Sequence, residues 1–531
     1  MVYPTVRDLL AQTAARSPDA TALRDPAADR TLTYAEWDGL VTRVANGLLD
    51  AGLSPGDHLS VMTKDSVEQL TLLFAAAELG VLFNPISYRA PAGRLSYVLD
   101  HAEADAFVFD EAALDTVREV ESATLPALLV GRNASFQESE PYGTLTGGST
   151  ESPHIHVTAD DAALLLYTSG TTGTPKGVRH THRNVVLSDL ACLPYNRLRP
   201  SDTNLALGPL YHVGPLLANF MPALHVGATN VIQRDFDPAT TLDYVESEGV
   251  TAMWGVPTHF NDLVSEPDVA DRDVSDVRMI QYSGAAMPRE VVRECREHFP
   301  DVDFVNAYGT TEIVFGTVIH PEDHDERLGS IGRAVPNAEV RLVDPDDPRP
   351  GARVLEGATG EILVKTPTCM EGYWKDPERT EEAVIDGWYR TGDLARRDED
   401  GFLYFVDRKD SMIVSGGENV YPTEVEDVLY RHEGVESVAV VGVPHRKWGE
   451  VVTAFVVPTS AASGDSSDEE SESDGVRTDP DVTEADLDEH FRAAEDVEAF
   501  KRPREYVFRD SLPKTESGKI SRSALKAEVA G

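Results

Sequence analysis

The chain of 531 residues carries 91 Asp and Glu against 47 Lys and Arg, a formal net charge of −44 with a pI near 4.6. At 41% hydrophobic residues it has ample material for a core, which excludes general disorder, and its length calls for two or more domains, one of them large. A surface this negative argues against a nucleic-acid backbone or an anionic membrane as the main partner.

Along the N-terminal 400 residues, apolar runs bounded by glycine alternate with helical patterns. The runs Ala162–Tyr167, Asn204–Gly208, Thr229–Ile232 and Val277–Tyr282 read as strands. Between them lie segments such as Pro288–Phe299, with Pro in the first turn and Glu290 near the positive helix end. Such alternation predicts an α/β fold with much parallel sheet. From about Ser411 the pattern changes: short strands (Val438–Val441, Val451–Val457) flank helices (Pro422–His432, Thr483–Ala493), and a boundary is expected near Arg408–Asp410. No run of 18 apolar residues suggests a membrane span, Met1–Arg16 lacks the layout of a signal peptide, and Cys192, Cys295 and Cys369 are too scattered for a disulfide framework or a zinc cluster. A reducing cytoplasm suits this cysteine usage.

The acidity is both local and global. Residues 465–474, DSSDEESESD, contain only serine and acid, and the segment 459–484 carries a net −8, expected as a flexible solvated loop. Without it the chain still holds −36, and its ten lysines stand against 37 arginines. An acidic, Lys-poor surface reads as adaptation to concentrated salt, where screening suppresses self-repulsion.

Residues 167–178, YTSGTTGTPKGV, follow the run Ala162–Leu166. Gly170, Gly173 and Gly177 free the backbone to present N–H groups; Thr168, Ser169, Thr171, Thr172 and Thr174 add hydroxyls, and Lys176 adds charge, making a polyphosphate cradle. It is not the common nucleoside-triphosphatase loop, because Pro175 and Gly177 break the GxxxxGK[ST] pattern.

This string resembles the signature of the adenylate-forming, AMP-binding superfamily. The further strings SGAAMP (283–288), NAYGTTE (306–312), YRTGDL (389–394), DRKDSMIVSGGENVYPTEVE (407–426) and PKTESGKISR (513–522) stand in the family's order. The resemblance implies an α/β architecture: a large N-terminal AMP-binding domain with parallel-rich sheets (1–407), a hinge (408–410) and a small mobile α+β C-terminal lid (411–531). It also implies an ATP-dependent, AMP-forming acid–CoA ligase that activates a fatty or aromatic carboxylate as an acyl-adenylate and passes it to coenzyme A. The segment from Pro209 through Leu263 looks particularly like that of 4-chlorobenzoate–CoA ligase, and fatty-acid–CoA ligases are similar.

Carried over by resemblance, Glu312 is the Mg²⁺ ligand, Thr311 contacts the α-phosphate, Tyr308 packs on adenine and Asn306 reads its edge. Gly284, Ala285 and Ala286 lie against the base, and Asp393 and Arg408 take the ribose. Asp410 is the hinge residue, and Asp407 departs from the family's usual Gly. Lys519 offsets the charge that builds where carboxylate meets α-phosphate. His212 marks the acyl-pocket entrance; Gly417, Trp448, Phe500 and Arg502 would serve CoA. Composition alone would make Lys519, Glu312 and Asp410 ordinary surface charges and His212 a packed core residue. The partners implied are the acid, ATP and CoA, with a homodimer compatible. An adenylation enzyme loading a carrier protein shares every one of these motifs, a luciferase-like oxygenase shares the fold, and a non-catalytic nucleotide-binding module is the rival from a different class.

Overall fold

The computed structural model describes residues 4–136, 139–168, 175–285, 287–299, 301–355, 357–459, 482–494, 497–515 and 520–530. Ser169, Gly170, Thr171, Thr172, Gly173, Ala286, Lys519 and the acidic run 465–474 lie outside them. The chain divides into two compact units, one of Met1–Val340 with Leu363–Thr391, the other of Arg341–Ile362 with Gly392–Gly531.

The first unit is α/β. Six strands, in the order Asp303–Tyr308, Met279–Ser283, Ala252–Gly255, Thr203–Ala206, Thr229–Val231 and Thr21–Asp25, pair in parallel. Antiparallel neighbours flank them at both ends. A second sheet runs Leu128–Arg132, Ala106–Asp110, His58–Met62, Leu82–Pro85 and Ala162–Thr168 in parallel, then turns antiparallel through Lys176–Thr181 and Gly372–Tyr373. The expected strands appear within a residue or two of their sequence positions, and Pro288–Phe299 becomes the helix Arg289–His298. Continuous burial along Ala106–Asp110 and Leu82–Pro85 explains their unbroken apolar sequence: both faces of a parallel strand are covered.

The second unit is α+β. Val435–His445 and Gly449–Pro458 form an antiparallel hairpin, joined by Ile413–Ser415, Glu418–Val420 and Glu505–Phe508. Alternation along the hairpin splits its side chains between two cores. Val438, Val440, Val452 and Ala454 pack with Val425, Val428 and Leu429 of the helix Pro422–Leu429, while Ala439, Val441 and Phe455 pack with Leu525. That helix stops at Leu429 rather than at His432, because a turn intervenes in which the His432 ring accepts the Gly434 N–H at 3.1 Å.

Candidate active site

The glycine–threonine loop leaves strand Ala162–Thr168 and returns as strand Lys176–Thr181, with Thr168 and Lys176 directly opposed. The described strands on either side of 169–174 are thus antiparallel neighbours, unlike the strand and helix that flank the common triphosphatase loop, in keeping with the sequence mismatch at positions 175 and 177. Lys176 begins the second of these strands, with its ammonium 5.3 Å from the Tyr373 ring centroid.

Tyr373 also reaches Glu312. Its hydroxyl donates to Glu312 Oε1 at 2.7 Å, and both residues are buried. Burial, then the Glu312 charge, raises the Tyr373 phenol well above its ordinary range, so it stays a donor. A second buried tyrosine, Tyr389, hydrogen-bonds Tyr373. The Glu312 backbone is held as well, its carbonyl accepting from Met370 N at 2.6 Å. Among the described residues, no other hydrogen bond reaches this carboxylate, so Oε2 is left as a hard anionic oxygen. Mg²⁺ is commonly bound by one or two carboxylates together with substrate phosphates, and this donor fits that chemistry.

His180, on the same strand as Lys176, donates from Nε2 to the Thr311 carbonyl at 2.8 Å. Complete burial holds this imidazole below its ordinary pKa, hence neutral. It thereby fixes the backbone of the residue expected at the α-phosphate.

The adenine-side candidates meet at the carboxyl ends of two neighbouring parallel strands, where Tyr282 opposes Asn306 and Ser283 opposes Ala307. Crevices of this kind collect ligands in α/β sheets. Gly284 turns the chain out of the sheet with φ near +86°, a conformation that L side chains rarely adopt, and Gly284 and Ala285 are exposed. Tyr308 is buried at the end of its strand, and the Asn306 amide donates to Ser330 O at 3.1 Å.

On the acyl side, His212 sits in a loop pinned from two directions. Both Asp65 carboxylate oxygens accept the Leu210 N–H at 3.0 Å, and the Trp254 ring packs so closely that a Cβ at Gly208 or Gly214 would lie 2.8 or 2.5 Å from it. The two glycines bracketing His212 are thus required by Trp254.

Within the second unit, Asp393 and Arg408 oppose each other across an antiparallel pair, Arg408 Nη1 donating to Asp393 Oδ1 at 3.0 Å. Arg408 Nε donates to Asp410 at 3.0 Å, so one guanidinium joins the expected ribose carboxylate to the expected hinge. Asp407 is fully buried and accepts from Thr423 N at 3.1 Å and Thr423 Oγ1 at 3.0 Å. The helix Pro422–Leu429 has Tyr421 at its N-cap, which supplies no side-chain cap; Asp407 caps it instead.

The candidate CoA residues Gly417, Trp448, Phe500 and Arg502 all lie in the second unit. Trp448 lies beside Gly416, whose N–H bonds the Trp448 carbonyl at 2.8 Å; neighbouring Gly417 has φ near +92°. The cations over Trp448 are Lys447 at 4.5 Å and Arg504 at 4.4 Å. Arg502 pairs instead with Asp488, and Phe500 is exposed. Lys514 bridges Ile520 and Ser521 N bonds Pro513 O at 2.7 Å, bringing the chain together on either side of 516–519. Tyr373, Tyr389, His180, Lys447 and Arg504 are the additions the structure makes to the sequence-derived set.

Residues 10–374 match the family model of the AMP-binding enzymes, and 424–519 match that of the AMP-binding enzyme C-terminal domain. The chain belongs to the AMP-binding enzyme family. A feruloyl-CoA synthase of Amycolatopsis sp. is 38% identical over 97% of this AMP-binding enzyme and 96% of its own length. The long-chain-fatty-acid–CoA ligase FadD13 of Mycobacterium tuberculosis is 30% identical over 98% and 97%. The crystal structure of the anthranilate CoA ligase AuaEII with anthranoyl-AMP superposes with a TM-score of 0.89 at 25% identity, covering 100% of this chain and 98% of that one.

Proposed function

We propose that this AMP-binding enzyme activates an aromatic carboxylic acid. It is an AMP-forming acid–CoA ligase, working through an acyl-adenylate with ATP and CoA. The observation supporting the reaction class is that Lys176 and Glu312 both contact Tyr373, in the unit that also holds the strand ends at 283–285 and 306–308. The acid class rests on the higher identity to the feruloyl-CoA synthase than to the fatty-acid ligase.

In the first half-reaction the substrate carboxylate attacks the α-phosphate of ATP, and pyrophosphate leaves. Glu312 would hold Mg²⁺, which supplies charge neutralisation on the triphosphate. Thr168, Ser169, Gly170, Thr171, Thr172, Gly173 and Lys176 hold phosphates; Gly284, Ala285, Ala286, Asn306 and Tyr308 hold adenine, Thr311 the α-phosphate, and Asp393 with Arg408 the ribose. Lys519 stabilises the anionic transition state, because two anions are being joined. In the second half-reaction the lid, hinged at Asp410, withdraws Lys519, and the CoA thiol attacks the acyl carbonyl with release of AMP. His212 stands at the acyl entrance, and Gly417, Trp448, Phe500 and Arg502 serve CoA. The enzyme works in the cytoplasm of a salt-adapted cell, as a monomer or homodimer. In support, no helix among the described residues is long and apolar enough to cross a membrane.

A pyrophosphate-release screen over carboxylic acids in molar KCl, with thioester detected after CoA is added, tests this reading. Hydroxycinnamate- or benzoate-type acids should lead. Fatty acids alone as substrates would overturn the acid class. Acyl transfer to a carrier protein without CoA turnover would select the carrier-loading alternative.

A further inference from the structure

One aromatic ring stands between the two oppositely charged groups that the proposed chemistry needs. The Tyr373 hydroxyl donates to Glu312 Oε1 at 2.7 Å, and the face of the same ring carries the Lys176 ammonium at 5.3 Å. Tyr373 is itself tightly held. It pairs with Val178 on the strand that begins at Lys176, and its N–H donates to Thr380 Oγ1 at 2.9 Å. The chain three residues earlier is tied to Glu312, whose carbonyl accepts from Met370 N. The hydroxyl of Tyr389 adds a further hydrogen bond to Tyr373.

A carboxylate with one fixed oxygen presents the other in a defined direction; without that bond, the terminal torsion of a glutamate is broad. A cation over an aromatic face is likewise held without being neutralised, so its charge stays available to phosphate. We propose that Tyr373 is a positioning residue for nucleotide activation: its hydroxyl orients Glu312 toward the metal–triphosphate, and its ring seats Lys176 at the mouth of the phosphate loop. This rests on the reading of Glu312 as the metal ligand. It assigns the Tyr in MEGYW (370–374) a role in metal affinity, separate from packing.

Tyr373→Phe separates the two contacts, because it keeps the ring under Lys176 and removes the hydroxyl. Metal binding is read directly, by the EPR signal of free Mn²⁺ titrated into full-length enzyme with a non-hydrolysable ATP analogue. The variant should bind Mn²⁺ about tenfold more weakly, while its affinity for the analogue at saturating Mn²⁺ changes less than threefold. Tyr373→Leu, which also removes the ring, should weaken the analogue itself by about tenfold. Tyr389→Phe, one hydroxyl further away, should shift Mn²⁺ affinity in the same direction but less. Glu312→Gln is the comparator. If it leaves Mn²⁺ affinity unchanged, the metal-ligand reading fails. If it weakens Mn²⁺ while Tyr373→Phe and Tyr389→Phe, both with near-parental melting temperatures, do not, the positioning role of Tyr373 is overturned. If Tyr373→Phe does not fold, Tyr389→Phe decides: unchanged Mn²⁺ affinity there overturns the proposal.

Discussion

Arg408 and Asp393, fifteen residues apart, oppose each other across an antiparallel pair, with Nη1 and Oδ1 3.0 Å apart. The pair sets the direction of a buried carboxylate before any nucleotide arrives. Asp393 on its own would be costly to hold in a buried site; paired, it is ready to accept hydrogen bonds from ribose hydroxyls. Hydrogen bonds to a charged group contribute about 1.5–3 kcal/mol each, and about 1.4 kcal/mol is tenfold in affinity. Asp393→Ala should therefore raise the KM for ATP by about tenfold or more while leaving the KM for the acid nearly unchanged. Initial rates at varied ATP check this; unaltered ATP kinetics would reject the ribose assignment.

Lys519→Ala should divide the two half-reactions. Adenylation, followed as pyrophosphate release, should fall by about a hundredfold or more, in line with the loss of a transition-state charge partner. Thioester formation from supplied acyl-AMP should stay within a few-fold of the parent if, as proposed, the lysine serves adenylation alone. Equal losses in both assays would sink the lid-lysine role.

Much of this architecture is legible in the sequence. The strands Ala162–Thr168 and Met279–Ser283 and the helix Glu484–Ala493 were visible because their signals are local: an apolar run between glycines, or a cap followed by a helical period. The phosphate loop and NAYGTTE were visible because their chemistry is contiguous. Tyr373 and His180 were not, because their roles depend on contacts to Glu312 and Thr311, 61 and 131 residues away. No spacing rule carries that information. Arg504 rather than Arg502 faces Trp448 for a similar reason: Asp488, on another helix, captures Arg502.

Asp407 illustrates a third case, a departure from the family pattern that the sequence exposes but does not explain. Buried against Thr423, it caps the helix Pro422–Leu429 from sixteen residues upstream. Replacing a helix cap typically costs about 1 kcal/mol. Asp407→Gly, the usual family residue, should destabilise the second unit by roughly that amount or more, because Arg522 then loses a neighbouring carboxylate 4.0 Å away. Urea unfolding followed by a probe in that unit, with Asp407→Asn as the isosteric control, measures it. Equal stability of the Gly variant and the parent would remove the capping role.

The net charge predicts a salt requirement. At 1 M salt the screening length is about 3 Å, so dispersed carboxylates cease to repel one another. Melting temperature and turnover should both rise from 0.1 M to molar KCl. Deleting 465–474 should leave turnover nearly unchanged and reduce the salt dependence only slightly, since most of the −44 lies elsewhere. Full activity and stability in dilute buffer would overturn the salt-adaptation reading.

His182 supplies a pH signature on the acid side. Its Nδ1 accepts the Val6 N–H at 3.2 Å, tying the first helix, Val6–Arg16, to the helix His182–Asn196, and this contact requires an unprotonated ring nitrogen. Burial pushes the imidazole from 6.5 down to about 4, with Asp161 and Asp8 opposing the shift. Between those values the unfolded chain binds the proton more readily than the folded one. The contribution is therefore fully present above pH 6.5 and is lost as pH falls toward 4. A shift of this size corresponds to about 3 kcal/mol, at roughly 1.4 kcal/mol per pKa unit. His182→Asn places a non-titrating acceptor near the same position. The stability gap between parent and variant, measured by denaturant unfolding at pH 7 and pH 4.5, should shift by about 2–3 kcal/mol toward the variant at the lower pH. A gap independent of pH would show that His182 does not titrate across this range in the folded protein.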